Sequence, residues 1–141
     1  MPTARFKDLC LDANDAPALA DWWCTAMGYR RRWDGPDDGG SIPIEDPSGA
    51  GPLIWVNPVP EAKSLKNRMH LDVVGSTEAL VALGATLVRP IGGDIEWDVL
   101  ADPEGNEFCC FAQGTDPGSD TPATETGAAE DPGQSSAPYE S

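Results

Sequence analysis

Two short signals recur in this chain at one and the same offset, and an internal repeat limits the possible architectures more than any other feature of a sequence. Met27-Gly28 and Leu83-Gly84 each close an apolar stretch with helical spacing, while Asp46-Pro47-Ser48-Gly49 and Asp102-Pro103-Glu104-Gly105 are both Asp-Pro-x-Gly turns. The members of each pair lie 56 residues apart. A chain written twice in this way is expected to fold as two copies of one supersecondary unit.

The residues between these signals read alike in both halves. Phe6, Leu9 and Leu11 predict a strand, after which Asp15 is an N-cap and Pro17 an early helical residue of a helix through residues 18–27, stopped by Gly28. In the second half, residues 69–74 read as a strand, Ser76 or Thr77 as a cap, residues 78–83 as a short helix and Gly84 as its stop. Strand-forming stretches follow each glycine, at 29–33, 41–45 and 53–56 and again at 86–90, 96–101 and 107–111. Each half is therefore βαβββ, the modules covering about residues 5–57 and 67–112, with a linker over 58–66. One such unit cannot cover both faces of its sheet, so two pairing into a single α+β domain over residues 1–112 is the economical arrangement.

The 141 residues suit one domain of this size. Nine Lys plus Arg against 24 Asp plus Glu give a formal charge of −15, whose field repels polyphosphates and anionic lipid. Nucleic acid and membrane are accordingly excluded as expected partners. No apolar run approaches the ~18–20 residues that span a bilayer, and the N-terminus lacks a signal peptide's apolar stretch. Cys10, Cys24, Cys109 and Cys110 have no C-x-x-C spacing, which reads as reduced thiols in a cytoplasmic protein. Composition breaks after Ala112. Residues 113–141 contain no Leu, Ile, Val, Met, Phe, Trp, Lys or Arg and carry six acidic groups, as expected of a disordered acidic tail. Without it, the folded part keeps 18 acidic and nine basic groups, a net of −9.

Leu11-Asp12, the helix through Trp22-Trp23 to Met27-Gly28-Tyr29, the run Lys66-Asn67-Arg68-Met69-His70-Leu71-Asp72, and Asp102-Pro103-Glu104-Gly105-Asn106-Glu107-Phe108 together resemble the vicinal oxygen chelate superfamily. Within it the chain resembles the small glyoxalase-like proteins, grouped with bleomycin-resistance proteins and extradiol dioxygenases. The resemblance implies two βαβββ modules whose eight strands form a cupped mixed sheet around a central cavity, with the helices outside. Family enzymes hold a divalent metal there through residues of the first and last strands of each module, typically His or Gln, Glu, His and Glu. Carried over residue by residue, these positions fall on Asp8, on Asn57 or Trp55, on His70, and on Cys109.

Loss of both family glutamates removes much of the charge that retains a dication, which points to a metal-free pocket. If a metal is bound, its ligands are Asp8, His70 and Cys109, a set containing a thiolate that favours Zn²⁺ over harder cations. His70 has an unperturbed pKa near 6.5 that suits proton transfer, and Asp8 is its carboxylate counterpart, so these two are the candidate catalytic pair. By the two-residue strand period, Asp8 shares a face with Cys10, and His70 shares one with Asp72. Cys109 lies between Phe108 and Phe111, where a thiol behaves as a small buried hydrophobe. Asn57, Trp55, Trp97, Cys109 and Arg68 are the candidate ligand-binding residues, the tryptophans as walls for a flat or apolar ligand and Arg68 for an anionic group. Two functions follow: a glyoxalase-like lyase, isomerase or dioxygenase with a degenerate metal site, or a non-catalytic protein that sequesters a small molecule. The cup can close within one chain or across a homodimer.

Overall fold

The computed structural model describes residues 2–115, so the expected acidic tail lies outside the described residues from Asp116 onward. The chain divides into two compact units, Met1–Ala62 and Lys63–Ser141. Each carries one βαβββ module and one open four-stranded mixed sheet, so the eight strands are shared between two sheets.

In the first unit, β1 (Leu9–Ala13) leads into α1 (Ala16–Met27), followed by β2 (Arg30–Arg31), β3 (Ile42–Glu45) and β4 (Ile54–Pro58). The sheet order is β1-β4-β3-β2, with β1 parallel to β4 and the other pairs antiparallel. Strand alternation sets Ile54 and Val56 beside Leu9 and Leu11, and Ile42 and Ile44 beside Val56 and Ile54. This apolar face is buried with Ala16, Leu19, Ala20 and Trp23 of α1, the helix that packs on β3 and β4. The helix begins where Asp15 accepts a hydrogen bond from Ala18 N–H at 3.1 Å. It ends at Gly28, whose φ of 73° and ψ of 23° are left-handed helical.

The second unit repeats the plan with less material. Its elements are β5 (Asp72–Val74), α2 (Thr77–Leu83), β6 (Thr86–Arg89), β7 (Asp98–Ala101) and β8 (Glu107–Phe111), in the sheet order β5-β8-β7-β6. Ser76 caps α2 by accepting from Ala79 N–H at 3.1 Å, and Gly84 ends it with φ of 128°. Only Leu80 of α2 is buried.

The repeat extends to individual hydrogen bonds in the turns. The Asp46 carboxylate accepts from the backbone N–H groups of Ser48 at 2.8 Å and Gly51 at 2.9 Å; Asp102 accepts from those of Glu104 at 2.9 Å and Asn106 at 3.0 Å. Gly49 and Gly105 follow with φ of 81° and 90°, values that a β-carbon disfavours.

Several strands are shorter than the sequence suggests. The strand expected over 29–33 keeps only Arg30–Arg31, because Gly35-Pro36 and Gly39-Gly40 draw the following chain into a loop. The strand expected from residue 69 begins at Asp72, although Leu71 C=O already accepts from Cys109 N–H at 2.9 Å. His70 and Trp97 therefore sit just before β5 and β7 rather than within them. No described helix is long and apolar enough to cross a membrane.

Candidate functional site

Asp8 immediately precedes β1, and the pairing of β1 with β4 brings its carboxylate to Trp55. Trp55 Nε1–H donates to Asp8 Oδ2 at 3.0 Å. The same oxygen is met by Lys7 Nζ at 2.5 Å, and that ammonium lies 6.0 Å from the Trp55 ring centroid. The Asp8 side chain is 9% exposed, whereas that of Lys7 is 82% exposed. Asn57, two residues along β4, is oriented to Asp12, with Nδ2 and Oδ1 3.5 Å apart.

Trp55 also forms part of a pocket of about 350 Å³ in the same unit. Its walls include Trp33, Pro36, Pro58, Ile42, Asp37 and Asp38. Trp33 meets Trp55 edge to face, with ring centroids 6.1 Å apart, and is 56% exposed, so it offers aromatic surface to solvent. The loop that carries these residues is tied to α1 by Arg31, which donates to Asp21 at 2.9 Å, to Asp37 at 2.6 Å and to Pro17 C=O at 3.4 Å. The hydrogen bond to Asp21, followed by that to Asp37, raises the guanidinium pKa further above its ordinary value. Arg31 is thus a fixed strut whose charge is already used.

A second cluster lies in the other unit. His70 Nδ1 is 3.8 Å from Cys109 Sγ and 3.6 Å from Asp72 Oδ1, and one ligand atom from each of the three residues lies within 4.8 Å of the others. Cys109 is buried, His70 half-buried and Asp72 exposed, so this cluster opens to solvent on the Asp72 side. Imidazole, thiolate and carboxylate fit Zn²⁺, whose ligand atoms belong about 2.0–2.3 Å from the ion, and fit Mg²⁺ or Mn²⁺ poorly. Glu107, the one glutamate on β8, is otherwise engaged: it accepts from Asn67 N–H at 2.9 Å and pairs with Lys63 at 3.1 Å. Trp97, half-buried, stacks at 5.4 Å on Phe111 and packs against the buried Ile95, Val99 and Cys109 of this unit. Arg68 is exposed.

The model of the glyoxalase-like domain family matches residues 8–111. The chain belongs to this glyoxalase-like family. No curated protein matches it. Among solved structures, the glyoxalase-like chain is similar to a glyoxalase/bleomycin resistance protein/dioxygenase family enzyme from Burkholderia phytofirmans, with 17% identity over 74% of this chain and 94% of that one and a TM-score of 0.54. It is also similar to TnmS3, an antibiotic binding protein from a Streptomyces species, with 18% identity over 79% and 98% of the chains and a TM-score of 0.54. A third is a mutant of the fosfomycin resistance protein FosX from Listeria monocytogenes, complexed with Mn(II) and a dihydroxypropylphosphonic acid, with 12% identity over 79% and 90% and a TM-score of 0.59. At these identities the likeness is one of fold.

Within the glyoxalase-like fold, two contributors were not singled out from sequence. Trp33 becomes a pocket wall because the pairing of β2 with β3 continues past Arg31, where Arg32 N–H donates to the C=O of Pro43, the partner of Trp55 on β4; this is a non-local consequence that its sequence spacing does not encode. Asp72 was legible as sharing the face of His70, but its place as a third ligand atom depends on pairing of β5 with β8, which sets Asp72 opposite Cys109.

Proposed function

We propose that this glyoxalase-like chain binds a small organic molecule in the first unit, with Trp33 and Trp55 as the recognition surface. The observation that carries this reading is the pocket of about 350 Å³, whose two edge-to-face indoles stand beside the carboxylates of Asp37 and Asp38. Pockets of roughly 300–1,000 Å³ with apolar walls and a few placed polar groups are the usual form of small-molecule sites. The antibiotic bound by TnmS3 and the phosphonic acid held by FosX show that this fold accommodates such ligands in other proteins. Titration with one- and two-ring aromatic compounds, followed by tryptophan fluorescence, tests the reading. Saturable quenching is expected, with affinity falling about tenfold in Trp33→Ala as stacking surface is lost. Quenching that is identical in Trp33→Ala, Trp55→Ala and the parent rejects it.

A catalytic reading, as a lyase or isomerase, is favoured by a different observation, the approach of His70, Asp72 and Cys109 within 4.8 Å; a dioxygenase would need a redox-active metal in place of Zn²⁺. These residues would hold Zn²⁺, which supplies Lewis-acid polarisation of a ligand oxygen. Zinc content after purification with added zinc and desalting tests this: near-stoichiometric retention, lost in His70→Ala and Cys109→Ser, supports a metal-dependent enzyme. Failure to retain zinc rejects the zinc-dependent reading and favours sequestration. The compartment we assign is the cytoplasm, in keeping with four free cysteines.

A further inference from the structure

Asp8 is a carboxylate with only 9% of its side chain exposed, and burying such a charge is unfavourable unless a cation and hydrogen-bond donors face it. Two donors do: the Trp55 indole at 3.0 Å and the Lys7 ammonium at 2.5 Å. They differ in kind. Trp55 belongs to β4 and is positioned by the sheet, whereas Lys7 precedes β1 in a segment, residues 2–7, that is exposed throughout. Holding an exposed lysine in one geometry costs side-chain entropy, and pairs with one solvent-exposed partner contribute little. The buried carboxylate is therefore neutralised by a removable counter-ion.

The same ammonium lies 6.0 Å from the centroid of the Trp55 ring, at the outer limit of a cation–π contact. Carboxylate and indole together thus define a place for a positive charge, and Lys7 occupies it from outside. Trp55 is also a wall of the pocket, with Trp33 edge to face at a centroid distance of 6.1 Å. Asp8 and Lys7 do not line the pocket and meet it only through Trp55, so a ligand seated against Trp33 and Trp55 reaches the position that Lys7 fills by a cationic arm extending past the Trp55 ring. Of the other charged groups of the pocket, Arg31 and Asp37 are paired with each other, and Arg31 also with Asp21, so Asp38 leaves the balance negative.

We infer that the ligand of this pocket is an aromatic or alkyl ammonium compound, whose cationic nitrogen displaces Lys7 from Asp8 and the face of Trp55. This rests on the reading of the pocket as the ligand site and adds the ligand's charge class to it. The mechanism makes Lys7 an internal competitor, which a merely structural ion pair would not be.

The test titrates the whole protein with benzyltrimethylammonium, with benzyl alcohol as the neutral probe and benzoate as the anionic one. Binding is read from tryptophan fluorescence and from the Trp55 indole N–H resonance, assigned by its loss in Trp55→Phe. The quaternary ammonium is expected to bind at least about tenfold more tightly than benzyl alcohol and to shift the Trp55 resonance. Lys7→Ala, a change at an exposed side chain, is expected to tighten ammonium binding several-fold while leaving benzyl alcohol unchanged. Asp8→Asn keeps a carbonyl oxygen for the Trp55 indole and is expected to weaken ammonium binding about tenfold. Equal binding of ammonium and alcohol, or no tightening in Lys7→Ala, overturns the inference while leaving the pocket as a ligand site. Absence of binding by any probe, in the parent and in Lys7→Ala alike, overturns both the inference and the pocket reading beneath it.

Discussion

The two modules share one plan and differ in how thoroughly each is carried out. In the first, α1 has 12 residues, four of them buried, and covers the apolar face of its sheet. In the second, α2 has seven residues with Leu80 alone buried, and Val81, Leu83, Leu87, Val88 and Ile91 remain exposed. The second module buries both sides of its central strands: Val99 and Cys109 pack with Ile95, Trp97 and Phe111, and Leu100, Phe108 and Cys110 of the alternate face are buried as well. The two modules thus share the caps, stops and turns of the unit, while the helix of the second is shorter and leaves more apolar surface uncovered. The functional groups divide in the same way, with an aromatic pocket in the first unit and three potential metal donors in the second.

The largest expected effect follows from the helices. Trp23 is 2% exposed at the centre of the first module's helix–sheet contact, and Trp23→Ala is expected to cost about 3–5 kcal/mol. Leu80→Ala removes a smaller side chain from a helix that covers little, and about 2 kcal/mol is expected. Urea denaturation of both variants checks the ranking. Equal losses would mean that α2 carries as much of the packing as α1 and would break the comparison.

The Asp-Pro-x-Gly turns give the next contrast. Asp102 is 2% exposed and accepts from two backbone N–H groups and the Asn106 amide, so Asp102→Ala leaves buried donors unpaired, at about 2–3 kcal/mol. Asp46 is half-buried and accepts from Ser48 N–H, where water can replace the bond, and from the part-buried Gly51 N–H, so Asp46→Ala is expected to lower the melting temperature by distinctly less. The same turn built at two depths separates the cost of losing hydrogen bonds from the cost of leaving donors dry.

These turns also mark what was legible in the sequence. Caps, helix stops and Asp-Pro-x-Gly turns are set by residues within a few positions of one another, and all of them lie where the repeat placed them. Strand ends were less legible, since the extent of β2 and β5 depends on pairing partners distant in sequence. The same holds for the site. Asp8, Trp55, His70 and Cys109 could be named from spacing, but that the indole of Trp55 faces Asp8 while Asn57 faces Asp12 follows from the β1–β4 register. Trp33 lies in a loop without periodicity, and nothing local marks it as a pocket wall.

Helix stops provide a smaller test. Gly28 is in the left-handed helical region, which asparagine tolerates, so Gly28→Asn is expected to cost a few tenths of 1 kcal/mol. Gly84 has φ of 128° and ψ of 0°, outside that region, so Gly84→Asn is expected to cost about 1 kcal/mol or more. Thermal unfolding of the pair checks the order, and a reversal would mean that the second helix does not end as tightly as its geometry indicates.

The smallest effect concerns acid stability, where each module has one carboxylate held below its usual range. Burial alone would push Glu107 up from 4.5, but the Asn67 N–H and Lys63 outweigh it and the net shift is downward. In the first module the Ser48 hydroxyl and backbone N–H lower Asp46, whose setting is open to solvent. A carboxylate whose folded pKa lies below its unfolded one adds stability that is fully present above the unfolded value and is lost as pH falls through the folded value. Glu107→Gln should therefore be less stable than the parent at pH 7, by about 1 kcal/mol for a half-buried pair that solvent still screens in part. The difference should begin to shrink below about pH 4.5, where Glu107 of the unfolded chain takes up its proton, and vanish once the lowered Glu107 of the folded parent is protonated too. Melting curves of both proteins from neutral to acid pH measure this. A difference that stays constant through the acid limb would show that Glu107 supports Asn67 and Lys63 through packing, and that charge does not contribute to holding the segment before β5 in the second module.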